Sequence, residues 1–588
     1  MNRHIHLLVF FLCTRLALGQ STYFVATSGK DDQDGKTEAT AWRTMRYAAS
    51  ASSPVGAGDT VFIKAGDYGM EEVFVEKNYS PDDARISFIG YRKVPGDIED
   101  FPFEYGDDVD ATRMPLLNPG DRTKGEGINI SDSYNITFKN IQIANSLGGI
   151  SIWNSTSIQS HHMLENIFMK DIGWEYSTAI ALKEANGNTI RNCLVVNATG
   201  AGMDVWGDHN RIVDSRVYSD ESLLTADGSY TSMDYYIVLK GDSNLVQRCY
   251  AERVGDLEDV GHGFEIKEQG EQNLFVDCKV KNMIGGCFSV RWSQVRRNTF
   301  RHCEALGGIS DDVSAFMIRE GASYNVFDAC KAENCAAGIR FLLAGEDADF
   351  CGKLNRFTNC IFRNTQWVVD LNPYFYNSAP ADSNFIINCT IDSSLYLMNS
   401  ERPNSANHFT NCIITGVRQL LTGDQPAGFD YSHCDFYDNG FSTPIGDGNI
   451  SMDPVWSNRD SRDYHLLSRS PCIDAATPDQ APALDYMGTQ RPQGNGIDIG
   501  AYEYVTTTHL SDPIYLKHYL YCYPNPTATS IRLPEDGVNR PYKLSTRFGN
   551  VIQTGIIRST SMDLSNLIPG EYFLTLKGKG VARIYIVK

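Results

Sequence analysis

A phrase that recurs along the middle of the chain limits the possible folds more than any other feature. It consists of an Asn, an apolar residue two positions later, and a Cys or Ser five positions after the Asn. The nine copies begin and end at Asn188 and Cys193, Asn210 and Ser215, Asn244 and Cys249, Asn273 and Cys278, Asn298 and Cys303, Asn325 and Cys330, Asn355 and Cys360, Asn384 and Cys389, and Asn407 and Cys412. Successive copies begin 22 to 34 residues apart. A fixed phrase at a variable interval indicates a solenoid whose repeated unit carries loops of different length.

Each unit contains short β-rich runs separated by Gly, Asn and Asp turns, for example 274–276 and 326–327, and no helical periodicity. The sequence therefore predicts an all-β chain built on a parallel β-helix of about eleven or more coils. Cap and first coils are predicted at 20–127, the β-helix with its closing segment at 128–510, and a small β domain at 511–588. Ala41 to Ala51 is predicted to form an amphipathic helix that covers the open N-terminal end.

The N-terminal residues 1–19 have the pattern of a secretory signal peptide: Arg3 and His4, the apolar run 7–12 and the small-residue end Ala17-Leu18-Gly19. A secreted or cell-surface protein is therefore expected. The formal net charge of -20 argues against nucleic acid as a partner. No other apolar run is long enough to span a membrane, and a monomer is expected.

Eight of the 15 Cys occupy the repeated phrase and one lies in the signal peptide. Cys residues at the same position of successive coils stack at roughly 4.8 Å, so we expect a ladder of small buried residues rather than disulfides. Six Cys fall outside the phrase and are left without a predicted pairing: Cys287, Cys335, Cys351, Cys434, Cys472 and Cys522.

An alternating run precedes each Asn, so its apolar members face the core and its other members face outward. Aligned runs give two outward rows. The first, here called the cationic row, contains Trp153, Lys183, Trp206, Lys240, Lys267, Arg291 and Arg319. The second row contains Ser151, Ala181, Asp204, Val238, Glu265, Ser289, Met317 and Arg340.

Like charges on neighbouring strands repel, so the cationic row requires compensation. One interpretation is a solvated face on which Asp204, Glu265, Glu268 and Glu320 neutralise the bases. The favoured interpretation is a binding site for an anionic glycan, because aromatic platforms suit sugar rings and Arg suits carboxylate or sulfate. The predicted substrate-binding residues are Lys183, Arg319, Trp153, Trp206, Trp292 and Arg340.

The densest group of candidate residues is the acidic loop 255–261 together with His262, which leads into the strand that carries Glu265 and Lys267. A long insertion, 219–234, comes one coil earlier and is predicted to form a wall of the cleft.

Two mechanisms fit these residues. In a β-elimination, Arg291 neutralises the carboxylate of a uronate so that the adjacent proton becomes acidic. The base is Lys267, Lys240 or His262. In a hydrolysis, Asp204 and Glu265 form a carboxylate pair two rungs apart, roughly 9 to 10 Å, near the upper limit for an inverting enzyme. A non-catalytic glycan-binding β-helix is the third hypothesis.

The chain resembles secreted bacterial right-handed parallel β-helix enzymes that degrade polysaccharides. The resemblance lies in the opening segment (Gly58-Asp59-Thr60-Val61, Ala65-Gly66-Asp67-Tyr68) and in the closing segment (Asp463-Tyr464-His465-Leu466, Asp498-Ile499-Gly500-Ala501). It implies a lyase or a glycoside hydrolase, endo-acting and fucanase-like in the second case. It also implies that Arg491 and the Asp residues of the closing segment form structural ion pairs.

Ser289-Val290-Arg291-Trp292 is similar to the Arg-bearing strand of alginate and chondroitin lyases. Those enzymes carry Asn-Lys-Ser on the preceding coil, where this chain has Lys267-Glu268-Gln269-Gly270. The paired-Asp calcium phrase of pectate lyases is missing. No cofactor is therefore required, and calcium is possible through Asp204, Asp208 or Glu265.

The tail, with Tyr523-Pro524-Asn525-Pro526, alternating strands and the end Ile584-Tyr585-Ile586-Val587-Lys588, resembles the C-terminal sorting domain of the type IX secretion system. The resemblance implies that 511–588 is a sorting domain and that the type IX machinery is a partner.

Overall fold

The computed structural model describes residues 20–77, 79–98, 101–155, 158–174, 176–224, 228, 230–255, 257, 261–308, 312–342, 351–371, 381–399, 406–422, 429–505, 530–533, 539–546, 551–559, 561–567, 570–576 and 580–586. The predicted signal peptide and Tyr523 to Pro526 lie outside these residues. The chain divides into two compact units between Val505 and Thr506. No helix in the described part of the chain is long and apolar enough to cross a membrane.

The first unit is a parallel β-helix, as predicted. One face, here called the site sheet, has thirteen parallel strands stacked in chain order: β1 (Val73–Val75), β2 (Ile128–Ser131), β3 (Ile150–Trp153), β4 (Thr178–Lys183), β5 (Ala201–Val205), β6 (Tyr235–Leu239), β7 (His262–Ile266), β8 (Phe288–Arg291), β9 (Ser314–Arg319), β10 (Ala337–Leu342), β11 (Trp367–Asp370), β12 (Tyr396–Asn399) and β13 (Gln419–Thr422). Alternating apolar residues such as Ile180, Met203 and Ile237 pair in register and fill the core.

Two further lines of strands complete each coil, and the long strands Ile136–Ser146 and Met163–Ile172 belong to both. The first line contains Thr22–Val25, Thr60–Lys64, Ile86–Tyr91, Thr189–Arg191, Arg211–Val213, Leu245–Gln247, Leu274–Val276, Thr299–Arg301, Val326–Asp328, Arg356–Thr358, Phe385–Ile387, Asn407–Thr410 and Phe429–Ser432. The second contains Leu116–Leu117, Leu194–Ala198, Arg216–Ser219, Tyr250–Arg253, Lys279–Lys281, Glu304–Leu306, Lys331–Glu333, Ile361–Arg363, Thr390–Asp392, Ile413–Thr415 and Asp435–Tyr437. Smaller pairs are Leu223–Leu224 with Tyr230–Thr231, Gly352–Lys353 with Ala381–Asp382, and Trp456–Asn458 with Asp463–Leu466.

The Asn residues of the repeated phrase form a buried ladder that closes one corner of every coil. The Oδ1 atom of Asn298 accepts from the backbone N–H of Asn273 at 2.8 Å and from its Nδ2 at 3.0 Å. The backbone donation recurs at each step from Asn188 to Asn407. The side chain thus satisfies an N–H that a turn would otherwise leave without a partner.

All thirteen described Cys are buried and free of disulfides, so the predicted thiol ladder is confirmed. The ladder also includes Cys434, which the sequence analysis left out. The backbone N–H of Cys412 contacts the Cys434 sulfur at 3.4 Å. The repeated phrase is missing in this coil because Phe429 occupies the position of its Asn. Phe429 stands five positions before Cys434 and pairs with Asn407 of the preceding coil.

The N-terminal part contains the 3-10 helix Glu38–Thr40 and the α-helix Met45–Ala49. The α-helix is shorter than the predicted Ala41 to Ala51 because Thr44 caps it and Ser50 is already extended. Met45, Ala48 and Ala49 are buried in the core of the β-helix.

The closing segment 467–505 lies against the second strand line. Asn359, Asn388 and Asn411 of the coils donate to the backbone oxygens of Leu484, Asp498 and Thr477. Arg491 forms a fully buried ion pair with Glu503 at 2.7 Å. This segment, together with the cluster around Phe103 and Met114, covers parts of the second line.

The second unit has a two-stranded antiparallel sheet (Ser530–Arg532, Ser561–Asp563) and a four-stranded antiparallel sheet (Pro541–Thr546, Val551–Ile556, Gly570–Leu576, Gly580–Ile586). Both sheets contribute to one small core that includes Ile531, Leu544, Leu574 and Ile584.

Candidate functional site

The two outward rows of the site sheet lie in the register that the sequence predicts. Asp204 pairs with Val238, which pairs with Glu265, and Arg291 pairs with Arg319. Each strand of the site sheet contributes one residue to each row, so the rows run across the strands, along the axis of the β-helix.

Burial separates the members of these rows. Trp153 and Trp206 are 41% and 47% exposed, whereas Arg319 and Arg340 are 8% and 6% exposed. Glu265 is fully buried although its strand register directs it away from the core. The exposed aromatic end of the cationic row thus continues into a deeper, charged end.

Most cations of the deeper end have a carboxylate partner. Lys240 pairs with Asp204 at 2.9 Å and lies over the Trp206 ring at 4.0 Å. Arg291 pairs with Glu320 at 2.8 Å and lies over the Trp292 ring at 4.7 Å. Arg340, a predicted substrate-binding residue, pairs with Asp370 at 2.7 Å, so its charge is already neutralised within the protein.

Lys267 differs from these cations. Among the described residues, no carboxylate lies within 4.0 Å of its ammonium group, which instead lies over the Tyr235 ring at 3.9 Å. Burial lowers the pKa of Lys267, and the charge of Lys240 acts in the same direction, while Glu265 opposes both. Burial, rather than the neighbouring cations, is thus the main cause of the shift. Lys183, at the exposed end, has no ion pair within the described residues either.

His262 and Glu265 form a pair below this row. The Nδ1 atom of His262 lies 3.1 Å from Oε2 of Glu265, and the imidazole stacks on Tyr235 with ring centroids 5.4 Å apart. Burial lowers the pKa of His262, although the Glu265 charge raises it. Within the described chain, neither the Glu265 oxygens nor Nδ1 of His262 make a hydrogen bond of good geometry, so the two buried groups are in close contact without an aligned hydrogen bond.

Gly285 makes room for the imidazole. A Cβ atom at this position would lie 2.7 Å from both Cε1 and Nδ1 of His262. No side chain other than hydrogen fits there without displacing the ring.

The sequence analysis missed three residues of this cluster: Tyr176, Asp234 and Tyr235. Glu320, which it named among the acids that neutralise the row, pairs with Arg291. Tyr176 donates to Asp234 at 3.0 Å, and burial raises the pKa of Asp234. Tyr235 pairs with His262 in the register, so extending the aligned runs toward their N-terminal ends would have found it. Burial, followed by the Glu265 charge, also raises the pKa of Tyr235.

The predicted carboxylate pair has the expected two-rung separation, since Asp204 and Glu265 both pair with Val238. However, Asp204 is held by Lys240 and Glu265 is fully buried. Asp256, Glu258 and Asp259 of the acidic loop lie outside the described residues.

Of the acids proposed for calcium, Asp204 is already paired with a cation, and calcium binding through Asp208 or Glu265 stays a prediction. The Lys240 ammonium group lies 2.9 Å from Asp204 and would repel a divalent cation. Nowhere in the described part of the chain do three His, Cys, Asp or Glu side chains come together as a metal site.

A family model described as a right handed beta helix region matches residues 121–310, in agreement with the predicted handedness. No curated protein matches the sequence.

Three solved structures illustrate the likeness found by comparison of folds. The catalytic domain of a GH87 α-1,3-glucanase in complex with tetrasaccharides has 12% identity and a TM-score of 0.42, covering 63% of each chain. Pectate lyase Pel9A has 14% identity and a TM-score of 0.33, covering 82% of this chain and 96% of its own. A mannuronic acid specific family 6 lyase from human gut microbiota has 11% identity and a TM-score of 0.43, covering 74% and 92%. Likeness at this level carries no argument about chemistry.

Proposed function

We propose that this protein is a secreted enzyme that depolymerises an anionic polysaccharide by β-elimination, and that this polysaccharide contains uronate groups, with or without sulfate. The observation that carries the proposal is the buried His262 and Glu265 pair beside the cationic row. A buried, neutral imidazole is a suitable base, and adjacent cations can stabilise the charge that develops on a uronate carboxylate.

In the proposed reaction, Nδ1–H of His262 faces Glu265, so Nε2 is the proton acceptor. It takes the proton from the carbon next to the uronate carboxylate. The electron pair of that C–H bond forms a carbon–carbon double bond as the glycosidic C–O bond breaks. Tyr235, which its raised pKa keeps protonated, can donate a proton to the leaving oxygen.

Arg291 and Lys267 have a different role in this scheme. They hold the carboxylate of the substrate and stabilise the negative charge that builds up there. The half-exposed Trp206 and Trp153 bind sugar rings further along the row. Lys267 has no carboxylate partner among the described residues, so its charge is available to a substrate. This favours a binding site over a surface on which every cation is salt-bridged.

The decisive experiment incubates the protein with alginate, pectin, ulvan and fucoidan and follows ultraviolet absorbance and new reducing ends together. Elimination yields both signals, because its product is unsaturated. Reducing ends without absorbance would favour hydrolysis through Asp204 and Glu265. Retention on a polysaccharide gel with neither signal would favour a non-catalytic binding protein.

Variants separate the proposed roles. His262→Ala is expected to lower kcat by about 10³-fold, because the base is lost. Lys267→Arg, which keeps the charge but cannot act as a base, is expected to retain a measurable fraction of kcat, whereas Lys267→Ala and Arg291→Ala abolish activity with the fold intact. Lys279→Ala, on the second strand line of the same coil, is the matched control. Complete loss in Lys267→Arg with a near-normal His262→Ala would make Lys267 the base.

We further propose export, on the strength of the predicted signal peptide, and type IX sorting through 511–588. Detection of the protein in the medium of the native cells, lost when the tail is deleted, tests both.

A further inference from the structure

An open groove of about 550 Å³ lies where β7 and β8 end, next to the cationic row. Its lining includes Trp292, Glu268, Gln269, Gln294, Asp242 and Glu271. Glu268 directly follows Lys267, and Trp292 directly follows Arg291. A sugar residue in the groove would therefore lie beside one held by the cationic row.

The backbone at Trp292 is held in the left-handed region, with φ at 80°. Glu268 and Glu320, at the same corner of the neighbouring coils, also have positive φ, so the turn belongs to the coil and decides where the side chain at this position points. The bend turns Trp292 into the groove wall, and Arg291 lies over its ring at 4.7 Å. The partly exposed indole thus contacts an Arg side chain that is itself paired with Glu320.

The charge of the groove is opposite to that of the row. Arg296 is the only cation of the described lining, and its Nε contacts Oε1 of Glu271 at 2.5 Å. Asp242, Glu268 and Glu271 outnumber it. An anionic sugar is repelled from such a surface, whereas carboxylates and amides beside an indole ring bind the hydroxyl groups and C–H face of a neutral sugar.

We propose that this groove is a subsite for a neutral sugar residue, so that the substrate is a heteropolysaccharide in which a neutral sugar is attached next to the anionic residue. That the neighbouring sugar is anionic rests on the proposed function. The binding of a neutral sugar in the groove does not depend on it.

The test measures binding by the full chain without turnover. Neutral trisaccharides of glucose, galactose, xylose and mannose, and trisaccharides of galacturonate and mannuronate, are titrated by calorimetry and by saturation-transfer NMR. We expect at least one neutral trisaccharide to bind in the millimolar range. We expect Trp292→Ala to weaken that binding by about tenfold and uronate binding by less than about threefold.

Trp292→Phe should retain most of the neutral-sugar affinity, because it keeps an aromatic face. Tyr324→Ala is the matched control: Tyr324 is also an exposed aromatic with positive φ, at 60°, but does not line the groove. The proposal is overturned if no neutral trisaccharide binds at concentrations on the order of 10 mM, or if Trp292→Ala weakens uronates as much as neutral sugars. Absence of elimination with intact neutral-sugar binding would refute the proposed function alone.

Discussion

Burial lowers the pKa of His262, and Glu265, Tyr235 and Gly285 surround its ring. Nδ1 lies 3.1 Å from the Glu265 carboxylate, and the missing side chain of Gly285 leaves the space that Nδ1 and Cε1 occupy. Because Glu265 is fully buried, we propose that it acts through the imidazole as a positioning residue rather than by touching substrate.

Glu265→Gln is expected to shift the acidic limb of the kcat profile to lower pH. The Glu265 charge raises the His262 pKa against the effect of burial, so removing it lowers that pKa further and keeps the imidazole neutral in more acidic solution. The optimum kcat should fall by at least about tenfold, because Gln no longer fixes the tautomer, with KM nearly unchanged. The measurement is kcat and KM across pH. A raised KM with an unmoved acidic limb would contradict the positioning role.

Gly285→Ala is expected to inactivate the protein while leaving it folded. The added Cβ would overlap the imidazole, which must move, at a cost of about 1–3 kcal/mol in the free energy of unfolding. Steady-state kinetics and thermal melting measure the two effects. Gly56→Ala is the control, since its Cβ would meet only Asp59, at 3.8 Å. Normal kcat in Gly285→Ala would show that the position of the ring is unimportant.

Most strands of the coils have only three to six residues, so the corners decide whether the coils stack. The Asn ladder closes one corner, and single residues with positive φ, such as Asp277 at 55°, turn the chain between the two strand lines. Both features serve the scaffold. They fix the register that brings the cationic row and His262 onto one face.

Asn298→Ala tests the ladder. It removes the acceptor for the backbone N–H and the side-chain amide of Asn273, which stay buried. We expect the free energy of unfolding to fall by about 2–4 kcal/mol, read as a lower denaturant midpoint. Lys279→Ala, which breaks an exposed ion pair of 3.4 Å with Glu304, should cost less than about 1 kcal/mol. Equal effects of the two changes would refute the importance of the ladder.

Within the described residues, each of the two units has an apolar core of its own. The extended core of the β-helix ends at Phe436, and the small core of the second unit begins at Ile531. No described residue belongs to both, so the stability of the β-helix should not depend on the second unit.

Residues 20–505 alone are therefore expected to fold and to keep the full catalytic activity and neutral-sugar binding. Circular dichroism melting and the polysaccharide assay compare this fragment with residues 20–588. A fragment that aggregates or melts much earlier would show that the second unit supports the β-helix.

The fold class followed from the sequence because every coil of a β-helix repeats the same local pattern. This pattern consists of an Asn at a corner, a thiol in the core and alternating side chains on the strands. That repetition fixed the register of the cationic row. It failed at Cys434, where the phrase is interrupted, and at the closing segment, whose place along the second strand line depends on long-range contacts such as Asn359 with Leu484. Tertiary structure alone decided burial and pairing: that Glu265 is enclosed beside His262, that Arg340 is held by Asp370, and that Arg291 is the cation with which Glu320 pairs. These properties arise from contacts between side chains of neighbouring coils, and periodicity carries no information about them.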